Sequence, residues 1–185
     1  FAALKTDGTV ITWGEAPYQF IPELNKVIYK DSGADSREVR QQLTDIKSIY
    51  ATKSAFAAIK ADGSVITWGS PDYGGDSSSV ADQLTDVRFI YTTQYAFAAI
   101  KTDGTVVTWG GQDYGGDSSL VAEQLTGVKS IKAGLFAFAA LKIDGTVVAW
   151  GESYYGGDSS SVVEELTDVV SISANGYAFA AIKDD

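Results

Sequence analysis

The word FAA[LI]K opens at Phe1, Phe56, Phe97, Phe138 and Phe179. The last four openings are 41 residues apart and the first interval is 55, so the first unit carries 14 extra residues. Self-similarity at a fixed period of this size marks an array, because so small a unit buries its apolar face only by stacking on the next. We therefore read the 185 residues as a single repeat array of units 1–55, 56–96, 97–137 and 138–178, a partial fifth at 179–185, and an insertion at about 15–32. The chain has no methionine, so we expect it to be a piece of a longer protein.

Each unit reads as three strands and a short helical turn. In the third, apolar runs at 97–101 and 105–109 flank Asp103-Gly104. Asp-Gly between such runs predicts a hairpin with a type I′ turn, in which both central residues take positive φ. Counting outward from that turn pairs Lys101 with Val106, Ile100 with Val107, Ala99 with Thr108 and Ala98 with Trp109. Alternation then puts Ala98, Ile100, Val107 and Trp109 on one inner face. Asp117 or Ser118 is placed to cap a short helix over 121–125. The run from Val128 to Ala133 predicts the third strand. Its apolar Val128 and Ile131 are three apart, which fits a bulge or a helical turn. Trp13, Trp68, Trp109 and Trp150, each facing a small alanine, are expected in the core.

The chemistry open to this chain is narrow. It has no cysteine and no histidine, which removes thiol nucleophiles, thiolate metal sites and the commonest general base. No Gly-Lys-Ser/Thr loop occurs, and Glu164 and Glu165 are adjacent rather than set across a cleft. We expect no enzyme activity, no catalytic residues, no cofactor and no metal. The turn aspartates Asp7, Asp62, Asp103 and Asp144 are read as turn formers rather than calcium ligands, since no further carboxylates follow at ligand spacing. The net charge of −10 repels phosphate backbones, so nucleic acid is not expected as a partner. No apolar run is long enough to insert in a membrane as a helix. A basic protein or a neutral glycan is easier to accommodate. The compartment is left open.

The places where the units differ are more informative. Positions 52–54, 93–95, 134–136 and 175–177 vary while the frame stays constant. Loops on a repetitive frame are where binding specificity is written. The candidates there are Lys53, Gln94, Tyr95, Leu135, Phe136 and Tyr177. Tyr73, Tyr114 and Tyr155, in glycine-rich loops, are further candidates for a glycan or a protein partner. The insertion adds Tyr18, Phe20, Ile21, Ile28 and Tyr29, an apolar set that either caps the array or docks a neighbour.

The words LKTDGTVITWG, IKADGSVITWG, IKTDGTVVTWG and LKIDGTVVAWG resemble the signature of the regulator-of-chromosome-condensation repeats: leucine, a spacer, Asp-Gly, valine, then Trp-Gly. The lead-in LTGVKSI resembles that family's preceding strand, and the resemblance runs through all four units. It implies an all-β fold of tandem β-meander repeats, forming part or all of a β-propeller. The residues alone leave an open β-solenoid as the alternative. It also implies a platform for other proteins; some members are nucleotide-exchange factors for small GTPases. The chain departs from the family in replacing Asn-x-x-Gly-Gln-Leu-Gly by DYGGDSS or YYGGDSS, and no exchange-factor motif matches. The function expected is a non-catalytic protein-interaction scaffold with protein partners, neighbouring copies of the chain among the candidates. The alternatives are a building block of a filament, cell-surface assembly or large complex, and a lectin-like module.

Overall fold

A computed structural model describes residues 1–14, 18–21, 26–29 and 33–184, with 18–21 and 26–29 described by their backbone. Fifteen strands run through the described residues, all paired antiparallel. Three meander sheets form the body: β5 (Ile46–Ala51), β6 (Ala55–Lys60) and β7 (Val65–Gly69); β8 (Val87–Thr92), β9 (Ala96–Lys101) and β10 (Val106–Gly110); β11 (Val128–Ala133), β12 (Ala137–Lys142) and β13 (Val147–Gly151). Before them come the hairpins β1 (Ala2–Leu4) with β2 (Val10–Thr12), and β3 (Tyr18–Ile21) with β4 (Lys26–Tyr29); after them comes the pair β14 (Val169–Ala174) and β15 (Phe179–Lys183). Each three-stranded sheet takes its first strand from the end of one sequence repeat and the other two from the next. The insertion is thus a hairpin with Tyr18 opposite Tyr29. The side chains of Tyr18, Phe20, Ile21, Ile28 and Tyr29 lie outside the described residues.

The hairpin turn differs from the type I′ expectation. Gly104 N–H donates to Lys101 O at 3.0 Å and Lys101 N–H to Thr105 O at 3.0 Å, a loop of three residues. Gly104 takes φ 80°, while Asp103 is not among the positive-φ residues. This is a type I turn closed by a left-handed glycine. Asp103 selects it with its side chain: Oδ1 accepts from Thr105 N–H at 2.9 Å and from Thr105 Oγ1 at 2.6 Å, a bond made from ordinary backbone geometry.

One extra loop residue shifts the register by one, so Ile100 pairs with Val106 and Phe97 with Trp109. A one-residue shift exchanges the partners on each face. Trp109 therefore stacks on Phe97, ring centroids 5.0 Å apart at 15°, rather than facing Ala98. The expectation of one inner face also changes, because both faces of each three-stranded sheet are buried. Ala55, Ala57 and Ile59 of β6 pack with Phe97, Ala99, Val107 and Trp109 of the next sheet. Ala96, Ala98 and Ile100 of β9 pack in the same way with Phe138, Ala140, Val148 and Trp150. Alanines on one face and aromatic pairs on the other let neighbouring sheets interdigitate.

The third strand lies where expected, and its odd spacing is a bulge between Val128 and Ser130. The extra residue restores the phase, so Val128 and Ile131 are both buried. The helical segment is a 3-10 helix, Ser119–Gln124. Of the two expected caps, Asp117 accepts from Ser119 N–H at 2.8 Å, while the Ser118 hydroxyl turns to Thr108 Oγ1 at 2.9 Å.

Trp68, Trp109 and Trp150 are core residues as expected; Trp13 is not, being 51% exposed. Each buried indole donates from Nε1 to a glycine carbonyl 35 residues earlier: Gly33 at 2.9 Å, Gly74 at 3.0 Å and Gly115 at 3.1 Å. These glycines sit against the next sheet's phenylalanine. A Cβ on Gly74 would come within 2.5 Å of the Phe97 ring, and the residue takes φ 90°. The first glycine of the GGD word is therefore a latch between neighbouring sheets.

Candidate interaction surface

The variable loops are the tight connections inside each sheet: 52–54 between β5 and β6, 93–95 between β8 and β9, and 134–136 between β11 and β12. A buried threonine shapes the second of them. Thr93 Oγ1 accepts from Ala96 N–H at 2.9 Å and donates to Tyr114 O at 3.1 Å. Thr52 does the same with Ala55 and Tyr73. Each threonine so ties its loop to the turn that carries the next tyrosine. Sequence comparison of the repeats puts these threonines among the variable positions; their neighbours carry the variation, and they hold the frame. Asn175 takes the place in the last connection, where its Oδ1 accepts from the N–H groups of Tyr177 and Ala178.

A main-chain ladder joins the loops to one another. Lys53 N–H donates to Gln94 O at 3.0 Å, Gln94 N–H to Leu135 O at 2.9 Å, and Leu135 N–H to Gly176 O at 3.0 Å. The loops consequently stand in file at one end of the sheets. Beside them run the short 3-10 turns Pro71–Tyr73, Gln112–Tyr114 and Ser153–Tyr155, each ended by a left-handed glycine.

The two rows interleave their aromatic rings. Tyr73 stacks on Tyr95 at 4.7 Å, Tyr95 lies against Tyr114 at 4.6 Å, and Tyr114 against Phe136 at 5.1 Å. Phe136 then meets Tyr155 edge-on at 4.5 Å, and Tyr155 stacks on Tyr177 at 5.3 Å. Lys53 holds its ammonium 5.9 Å from the Tyr95 ring centre. Residues far apart in sequence, from Lys53 to Tyr177, thus form one continuous column. Its rings are half-buried up to Tyr155, and Tyr177 is exposed. Gln94 and Leu135 lie beside it in the ladder. The insertion candidates are the ones whose side chains lie outside the described residues.

The column presents half-buried aromatic rings with their phenol groups at the surface. Among the described residues, none of its tyrosine hydroxyls makes a hydrogen bond, and no group of three metal-ligating side chains occurs. Asp72 and Asp113, in the tyrosine turns, are exposed and join no ion pair among the described residues. Several other carboxylates are perturbed by their own turns. Asp62, Asp103 and Asp144 are held below the usual carboxylate range by the hydroxyls of Ser64, Thr105 and Thr146, with the backbone N–H groups of the same residues adding to it. Asp35 is lowered to about 2 by its hydrogen bonds to the Arg37 guanidinium. All four are explained by local turns, not by a shared cleft.

Meander sheets that recur every 41 residues and stack alanine face on aromatic face define the fold: blades of a β-propeller of the RCC1 repeat type. The chain superposes on Prp20p of Saccharomyces cerevisiae, in a structure described with its binding to Gsp1p and histones, at a TM-score of 0.59 and 20% identity, covering 100% of this chain and 53% of that one. It matches yeast RCC1 (Prp20) bound to Kap60 at 0.57 and 18% identity, covering 98% and 51%, and human WBSCR16 at 0.53 and 18%, covering 98% and 55%. The chain thus spans little more than half the length of these structures. No protein-family model and no curated protein matches it in sequence.

Proposed function

We propose that the chain is a non-catalytic protein-interaction scaffold that binds through the aromatic column and the inter-repeat loops beside it, with the insertion hairpin as a second contact. One observation carries this reading: the loop positions at which the repeats differ meet the shared tyrosine turns in a single half-exposed column. Half-buried aromatic rings with free hydroxyls are the material of protein interfaces. The two Prp20 structures, one bound to Kap60 and the other described with Gsp1p and histones, come from proteins of the same fold and lend support. A lectin-like role fits less well. Sugars stack on open ring faces, and the faces of Tyr95 are covered by Tyr73 and Tyr114.

The test is site-specific photocrosslinking in the native source, with the photoreactive side chain at Tyr95 or Phe136 and, as a control, at Lys129, exposed on β11. Discrete protein adducts from 95 and 136 and none from 129 are expected. Equal labelling from all three sites, or none from the column, would sink the assignment.

A further inference from the structure

We infer that the occupant of the column is an extended, arginine-bearing segment of a partner protein. This rests on the reading of the column as the binding surface and specifies the chemistry that surface selects.

Strand addition is closed to the partner. From Gln94 to Phe136 the main-chain groups of the file are already engaged: Gln94 gives its N–H to Leu135 and its carbonyl to Lys53, Tyr95 O accepts from Gly111 N–H at 2.8 Å, and Phe136 O accepts from Glu152 N–H at 3.0 Å. Tyr73 O and Tyr114 O are taken by the two threonines. Recognition is left to side chains. Those on offer are ring edges, unpaired phenol hydroxyls, and the carboxylates of Asp72 and Asp113 standing in the tyrosine turns.

This set selects a cation, and one of a particular shape. A planar guanidinium has five donors fixed in one plane and pairs with carboxylate and phenol oxygens together. Lys53, with its ammonium 5.9 Å from the Tyr95 ring centre, already places one cation beside the same rings. The net charge of −10 draws such a partner in. The rings zigzag in two narrow rows, with successive rings 4.5 to 5.3 Å apart and Tyr95 5.5 Å from Phe136 in its own row. An extended chain advances about 3.3 Å per residue, so its same-side side chains recur about every 6.6 Å. That spacing is near the 5.5 Å between Tyr95 and Phe136, so one row matches alternate side chains of an extended partner.

Fluorescence anisotropy with a labelled peptide of six Arg-Gly pairs tests this on the whole chain. The same peptide with Glu for Arg serves as the control. Binding of the arginine peptide alone is expected. The double variant Asp72→Asn with Asp113→Asn should weaken it about tenfold, as loss of two partly desolvated ion pairs would. Asp62→Asn with Asp103→Asn makes the same change in charge at the hairpin turns, and should leave affinity within about twofold. Tyr95→Phe with Tyr114→Phe keeps the stack, removes the hydroxyls, and should cost about threefold. If both aspartate pairs weaken binding equally, the peptide reads only overall charge and the inference is overturned. It is also overturned if the glutamate peptide binds as well. Should crosslinks still concentrate at 95 and 136 in that event, the platform stands and only the basic partner is lost. Crosslinks spread evenly would remove the platform itself.

Discussion

Trp13 and Trp109 stand in nearly identical words, yet one is 51% exposed and the other 3%. Both stack on the phenylalanine opposite, at 5.7 and 5.0 Å. The hairpin itself is therefore common to the two. What Trp109 adds is the neighbour before it: the alanine face of β6 and the carbonyl of Gly74. Burial in this fold comes from the interface between sheets rather than from any one sheet, as in other arrays whose stability is carried by nearest-neighbour terms.

The widest separation is expected from the tryptophans themselves. Trp109→Ala should cost about 3–5 kcal/mol in denaturant unfolding, as for a buried aromatic, and Trp13→Ala less than about 1 kcal/mol. Equal losses would mean that the hairpin, not the interface, holds the energy. The latch glycines come next. Gly115→Ala puts a Cβ 2.6 Å from the Phe138 ring at φ 97°, whereas Gly127, at φ 63°, has open space around it. Gly127→Ala should cost about 1 kcal/mol, the left-handed penalty alone, and Gly115→Ala roughly 2–4 kcal/mol, with the clash added. Thermal melts of the pair separate the two causes.

The smallest effect is one of pH. Asp103 is held below its ordinary 3.8 in the folded chain, first by the Thr105 hydroxyl. A depressed carboxylate contributes stability above its unfolded value, and that contribution fades as pH falls through the folded value. The melting temperature should therefore decline below about pH 4. Asp103→Asn keeps the Oδ1 acceptor without the titration, so it should flatten the decline slightly; a steeper decline would contradict the turn assignment.

Much of this architecture is legible in the sequence. The 41-residue period announces the stacking, and apolar runs beside Asp-Gly locate β9 and β10. The three-residue gap between Val128 and Ile131 signals the bulge. The register is not legible, because Asp-Gly serves a two-residue and a three-residue loop equally, and the choice is made by the Thr105 side chain and N–H bonding to Asp103. Nor is the indole latch, since its acceptor is a backbone carbonyl 35 residues away and leaves no side-chain signature. Loop variability and glycine-rich context single out each column residue. Their assembly into one file depends on the ladder through Gln94 and Leu135, which any residue with an N–H and a carbonyl can form.

The latch also has a direction. Each of the three buried indoles is fastened to a glycine before its sheet, never to one after. A chain pulled apart from its first sheet onward would unfasten the next tryptophan at every step, so each loss weakens the sheet beyond it. Pulled from the other end, every sheet still standing keeps its own fastening. A broken interface thus leaves two unlike sides: the later sheet has lost its indole bond, and the earlier one has kept its own.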